Sequence, residues 1–464
     1  MSGATTAELT PYEHDIATAI LGVDTIWGGD VSSPSGANRF IADCWFSGKP
    51  FPEAYTDPLA ASLRRSGGLS APDPDRSAVL AYLDRFDLPA AFSRIRRQSD
   101  GFTPLRRRLV LGLVDSLQVM LDLALEAAGQ GPPVSYARCV LASTGEAPRL
   151  ADAARLREEV GALLAVGEDP GALLAAVDHW RRQRRVEPAE LARTCTRLVE
   201  QLDELTCRNV LPHLPQRLRT VPRTNVTFLP IRDAWFSGSM NYLGRARTER
   251  GEPEYEATYE INASLEISEP ELAALVAHEV VPGHVMTFAL IQHLQFRGRL
   301  GMEATILTMN TRATTLHEGI ANAAPLLAHG VGDVQALPDE QLRLGLLLAR
   351  LQDVAKCNAS YLTWAEGRPR QEVSEVLRQS CLVSPERAEK LAGPWARHPI
   401  LGRMYLPCYE IGTSKVLRLL TDPGPEKLLP LLYGAHGLLD CVTLDEALAT
   451  LGRTPAPQGR EQLP

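Results

Sequence analysis

Apolar positions recur every three to four residues through most of the chain, the period of a helix with one buried face. The pattern predicts helices near residues 11–22, 76–86, 102–129, 150–165, 170–182 and 186–210, segments rich in Ala, Leu, Arg and Glu. It continues over 301–330 and returns near 338–361, 368–380, 384–393, 403–421, 425–436 and 443–451. Glycine and proline clusters at 67–74 and 129–133 read as loops within one helical assembly. The period changes only around 222–266, where 225–231 and 255–262 are rich in β-branched and aromatic residues and predict short strands. The expected fold is mainly α, a single large helical assembly with a small β-sheet. A helical N-terminal part over 1–215 and a part over 216–452 belong to the same compact unit. The Pro-, Gly- and Gln-rich tail over 453–464 is expected to fray.

One stretch reads as chemistry. Ser268 with Glu271 has the form of a capping box, and Pro270 falls in a first turn where a missing N–H costs little, so a helix starts here. Leu272, Leu275, Val276 and Glu279 follow at helical spacing, which places a carboxylate on an apolar stripe. Such a group is costly to bury unless it is paired, hydrogen-bonded or beside a metal. His278 precedes it, and His284 completes the string His-Glu-x-x-Pro-Gly-His. In the familiar H-E-x-x-H zinc helix the two histidines share a face at i and i+4, with the Glu as general base. Here the second histidine is displaced by about 120° on an ideal helix. Pro282 cannot donate to the carbonyl of residue 278 and its ring clashes there, so a kink is expected, and Gly283 adds freedom where His284 must swing back. The alternative is a helix ending at Val281 and two unrelated histidines.

His278-Glu279-Val280-Val281-Pro282-Gly283-His284 resembles the signature of a bacterial family, domain of unknown function 885, whose members resemble gluzincin-type zinc metallopeptidases. Leu316-His317-Glu318-Gly319-Ile320-Ala321 resembles the family's Glu-Gly-Trp-Ala segment, and Tyr409-Glu410-Ile411-Gly412 its Tyr-Lys-Ile-Gly segment. The resemblance covers roughly residues 220 to 420. It implies a zincin-like assembly with the sheet beside the metal helix, Zn2+ on His278, His284 and Glu318, Glu279 as general base and Tyr409 as a phenol aimed at the reaction centre. The Asn262 region resembles the strand before the motif, which reads equally as an edge rail for extended substrate or as a structural hairpin. Arg403, with Tyr405, is a candidate for holding a substrate anion, and Arg312 for either a substrate carboxylate or a structural ion pair. The implied reaction is hydrolysis of a peptide or small amide bond. Ile320 replaces the family's Trp, Pro325 stands where a second acidic residue is common, Thr287 where a Gln is, and the usual Pro-Gly-Gln-Ala stretch is unmatched before Tyr409. The drift fits one specialised small substrate better than a general peptidase. A histidine–carboxylate triad also suits iron or manganese, and the site could serve a lyase or isomerase acting on a small biosynthetic intermediate. A metal-free binding protein is the third reading.

Composition narrows the partners. The 464 residues are 45% hydrophobic and 22% charged with a net charge of −8, ordinary for a globular protein, and give no reason to expect nucleic acid or an anionic membrane. The arginine run 181–185 reads as a solvated helix face or turn. No uninterrupted apolar run is long enough to predict a membrane span, and the first residues lack a basic segment followed by an apolar one, so a cytoplasmic location is expected. Eight scattered cysteines with no C-x-x-C pair read as reduced, mostly buried thiols, Cys408 included.

Overall fold

A computed structural model describes residues 8–33, 39–167, 169–232, 238–264, 266–434 and 439–453. The expected fraying of the tail concerns residues that lie almost wholly outside these. The fold is mainly helical, as the periodicity predicts, with two small sheets among the described residues where one was expected. The elements that build the site are α1 (Pro11–Ile26), β1 (Ala42–Trp45), α2 (Pro104–Ala127), β2 (Val226–Ile231), β3 (Gly238–Tyr242), β4 (Ala257–Asn262), α3 (Glu269–Glu279), α4 (His284–Phe296), β5 (Ile306–Thr308), α5 (Arg312–His329), α6 (Glu340–Trp364) and α7 (Leu406–Thr421).

β2 and β4 run parallel while β3 joins β4 antiparallel, giving the order β2-β4-β3. β1 pairs antiparallel with β5, Trp45 opposite Ile306. Two apolar clusters fill the interior. One is built mainly on α1 and α2 around Ile16, Trp27 and Met120, and the other on α3 to α7 and the three-stranded sheet, around Val276, Leu316 and Leu347.

The stretch Glu269–Phe296 is long and apolar enough to cross a membrane by composition, yet 83% of its most apolar window is buried inside the fold. It is two helices. α3 begins at the expected capping box, Ser268 accepting from Glu271 N, an N-terminal device worth about 1 kcal/mol. Arg181 grips Glu271 with Nη2 at 2.7 Å and Nε at 2.9 Å, so the first arginine of the basic run anchors this helix. α3 ends at Glu279, and a cis Val281–Pro282 peptide leads through Gly283 into α4. A Cβ on Gly283 would lie 1.8 Å from the carbonyl oxygen of His278, so only glycine fits. The Tyr433 hydroxyl donates to the Pro282 carbonyl at 2.7 Å and holds the turn from outside. The expected kink is therefore a full break, made by the proline and glycine that predicted it.

Where a helix over 301–330 is expected, the chain forms a 3-10 turn at Met302–Ala304, then β5, and α5 begins only after Thr311, whose hydroxyl caps Thr314 N. Gly319 meets α7 rather than α3, since a Cβ there would lie 2.3 Å from the Gly412 carbonyl oxygen, and one on Gly412 would lie 2.0 Å from the Thr315 carbonyl oxygen. Backbone touches backbone. Gly412→Ala is expected to destabilise the protein by roughly 1–3 kcal/mol, because neither helix can yield without moving its partners. A urea melt that leaves the midpoint unchanged would remove this account of the contact.

Candidate metal centre

Three acceptor atoms from three helices converge. One ligand atom each from His278, His284 and Glu318 lies within 4.8 Å of the others, a group that could hold a metal ion. Glu318 Oε2 is 3.7 Å from His278 Nε2 and 3.9 Å from His284 Nε2. The imidazoles meet edge-on, 4.7 Å between centroids. His278 ends α3, His284 opens α4, and Glu318 projects from the middle of α5.

The hydrogen bonds fix which ring nitrogen faces inward. Thr413 Oγ1 donates to the Tyr409 carbonyl at 2.6 Å and so accepts from Asn322 Nδ2 at 2.7 Å. That leaves Asn322 Oδ1 facing His278 Nδ1 at 2.7 Å, where Nδ1–H must donate. His278 Nε2 therefore presents a lone pair to the centre. Tyr405 donates to Glu318 Oε1 at 2.8 Å, leaving Oε2 buried with no hydrogen-bond partner among the described residues. A lone-pair nitrogen and an unsatisfied carboxylate oxygen turned toward a shared point suit a metal cation. Asn322→Leu is expected to weaken zinc binding by about 10- to 100-fold while the fold persists, as read by competition with a chelating dye. Unchanged affinity would show that the amide does not orient the ring.

Burial dominates the electrostatics. It pushes His284 down to about 4 and His278 well below its ordinary value, so both rings are neutral ligands at pH 7. It raises Glu318 to about 7, and raises Glu279 to about 8 with the help of the Glu318 charge. Both carboxyls bind more protons folded than unfolded, so the metal-free fold loses stability as pH rises from about 4.5 through about 8. His284 works the other way, but only between about 4 and 6.5. The metal-free protein is thus expected to lose melting temperature between pH 6.5 and 8, and zinc, which needs ionised Glu318, to suppress the loss. Melts in chelator and in zinc that run parallel across this window would contradict it.

A cavity of about 230 Å³ contains the triad together with Glu279, Tyr405, Tyr409, His317, the β3 residues Gly238 to Met240, and Arg39 and Asp43 before and in β1. The Tyr405 and Tyr409 rings meet edge-on at 5.1 Å. Lys356, ion-paired with Asp353 at 3.0 Å, sits 3.3 Å from the Tyr409 ring centroid and supports it by cation–π attraction. A larger cavity of about 390 Å³ touches Asn322 and Thr413 but none of the triad.

Three candidates from the sequence lie elsewhere. Arg403 is 6% exposed, held by Glu126 at 2.9 and 3.1 Å and by the Val134 carbonyl, and stacked on Trp364. Its charge ties the turn before α7 to the end of α2. Arg312 lines a neighbouring cavity of about 60 Å³ that shares Leu307, Thr308 and His317 with the first. Asn262 is buried in β4, the central strand, where its side chain accepts from Ser264 N. The edge strand along the cavity is β3, which the sequence did not predict. Cys408 is fully buried and donates to the Met404 carbonyl, a packed thiol as expected; all eight cysteines are free and seven are buried.

No family model matches the sequence, and no curated protein matches it. Among solved structures, the fold is similar to a candidate lipoprotein from Colwellia psychrerythraea, at 14% identity and a TM-score of 0.47 over 81% of this chain and 69% of that one. It is also similar to a candidate lipoprotein of unknown function from Shewanella oneidensis, at 13% identity and a TM-score of 0.48 over 96% of this chain and 83% of the other.

Proposed function

We propose that the protein is a zinc-dependent hydrolase that cleaves a peptide or amide bond of a small substrate. The observation that carries this reading is the placement of a fourth, non-ligating acidic side chain, Glu279, in the same cavity as the three converging ligand atoms. The motif resemblance to domain of unknown function 885 and to gluzincin-type enzymes points the same way.

Bound by His278, His284 and Glu318, zinc would supply a Lewis acid for the scissile carbonyl and lower the pKa of a water molecule. Glu279 does the proton work. Its pKa, raised to about 8 by burial in the metal-free chain, falls once a dication stands beside it, so its carboxylate can take a proton from water and return it to the departing amine. Tyr409 lines the cavity with Lys356 against its ring, and in this reading it would donate to the developing oxyanion. Tyr405 keeps Glu318 Oε1 occupied and directs Oε2 inward. The cavity of about 230 Å³ fits a small molecule better than a long peptide.

The test is elemental mass spectrometry on protein purified without added metal, followed by assay of new primary amine from a panel of dipeptides and aminoacyl amides. About one zinc per chain with zinc-dependent amine release supports the reading. One iron in place of zinc turns the triad toward the oxygen chemistry of non-haem iron. Failure to take up any metal on reconstitution overturns the hydrolase.

A further inference from the structure

The cavity has an arginine that the chemistry at the metal does not use. Arg39 is 6% exposed, and it is the only lysine or arginine among the described residues that line the cavity. Its Nη2 donates to the Ser33 carbonyl at 2.8 Å. Its Nε and Nη1 are buried with no hydrogen-bond partner among the described residues. Asp43 stands 3.6 Å from Nη1, close enough to attract and too far to accept a hydrogen bond.

A guanidinium cannot shed its charge, so a buried one with two unfilled nitrogens costs stability unless something compensates for it. The fold spends contacts to keep it there. Met309 N donates to the Ile41 carbonyl at 2.7 Å, and Asn310 Nδ2 to the Phe40 carbonyl at 2.9 Å, pinning the two residues that follow Arg39 to the wall formed by Thr308 and Met309. The other charged lining groups, Asp43, Glu279 and Glu318, are all acidic. With Glu318 turned to the metal, Arg39 Nε and Nη1 still lack acceptors.

We propose that Arg39 is the carboxylate-binding element of this cavity, and that the substrate is a small amide carrying a free carboxylate. The inference rests on the hydrolase reading, whose metal end fixes the scissile bond while Arg39 fixes the tail. Charge-assisted hydrogen bonds from a desolvated guanidinium discriminate strongly between an acid and its neutral counterpart. Asp43 balances the charge while the cavity holds no substrate and competes for Arg39 when an acid arrives.

The experiment uses the full chain loaded with zinc. Monohydroxamates of succinic, glutaric and adipic acid anchor on zinc through the hydroxamate, and each is compared by calorimetry with the same molecule ending in a carboxamide. At the tail length that reaches Arg39, the acid is expected to bind at least about 10-fold more tightly than the amide. Arg39→Met brings the ratio close to one with little change for the carboxamide. Arg39→Lys, which keeps the charge, retains part of the preference, and Asp43→Asn increases it. The wild-type comparison stands even if a variant fails to fold. Acid and amide binding alike at every length, or a preference that survives Arg39→Met, overturns the role of Arg39 while leaving the metal site intact. If neither series binds and zinc itself is not retained, the hydrolase reading fails and this inference with it.

Discussion

Glu279→Gln is expected to retain zinc and to lose about 10²- to 10⁴-fold in turnover, the range for removing a positioned general base. The substitution keeps shape and burial and removes only the ability to accept and return a proton. Glu279 is not within the ligand cluster, so metal content measures the site and turnover measures the base, independently. The neutral amide also takes away the charge repulsion between residues 279 and 318, so zinc-free protein of this variant should melt no lower than wild type at pH 8. A variant that loses zinc along with activity would make Glu279 a ligand and leave the base unassigned. A variant with zinc and full activity would end the proposed proton route.

His284→Ala carries the second large effect. Wild-type protein in zinc at about 100 times its dissociation constant gains about 2.7 kcal/mol of stability by mass action. With one of three ligands gone, that gain should vanish, and the melting temperature should become independent of zinc. Because His284 opens α4 straight after the Gly283 break, the same experiment tests the geometry of the break. If His284→Ala still binds zinc as wild type does, the imidazole is not a ligand and the approach of Nε2 to Glu318 at 3.9 Å is only packing.

Much of this site is legible in the sequence because its chemistry lies on strong local signals. A capping box, a glutamate on an apolar stripe and a Pro-Gly pair specify where α3 starts and where it must break. Asn322 was also within reach, since it lies four residues after Glu318 and therefore on the same helix face. Other features have no local signal. β1 and β5 span four and three residues, too few for an alternation to show. β3, Gly-Ser-Met-Asn-Tyr, has no β-branched residue, and it is a strand because β4 offers it a partner. Arg403 is chemically as apt for an anion as Arg39, and only tertiary structure shows that Glu126 already pairs with the first while two nitrogens of the second have no acceptor among the described residues. Nor does sequence show that Gly319 and Gly412 touch, since their contact depends on how two distant helices pack.

The pairing of β1 with β5 bears on how the protein is made. The bond from Asn310 to the Phe40 carbonyl joins residues 270 positions apart. At the usual pace of synthesis, on the order of 5–20 residues per second, the segment carrying Arg39 and Asp43 waits roughly 15–50 s for the strand that will seat it. During that interval α1 and α2 can settle around Ile16 and Trp27 while one wall of the cavity is still missing. The N-terminal wall is thus the first part of the site to leave the ribosome, and it cannot dock until β5 has followed. A nascent chain halted before residue 306 should contain folded helices and an unseated, protease-sensitive stretch around Arg39.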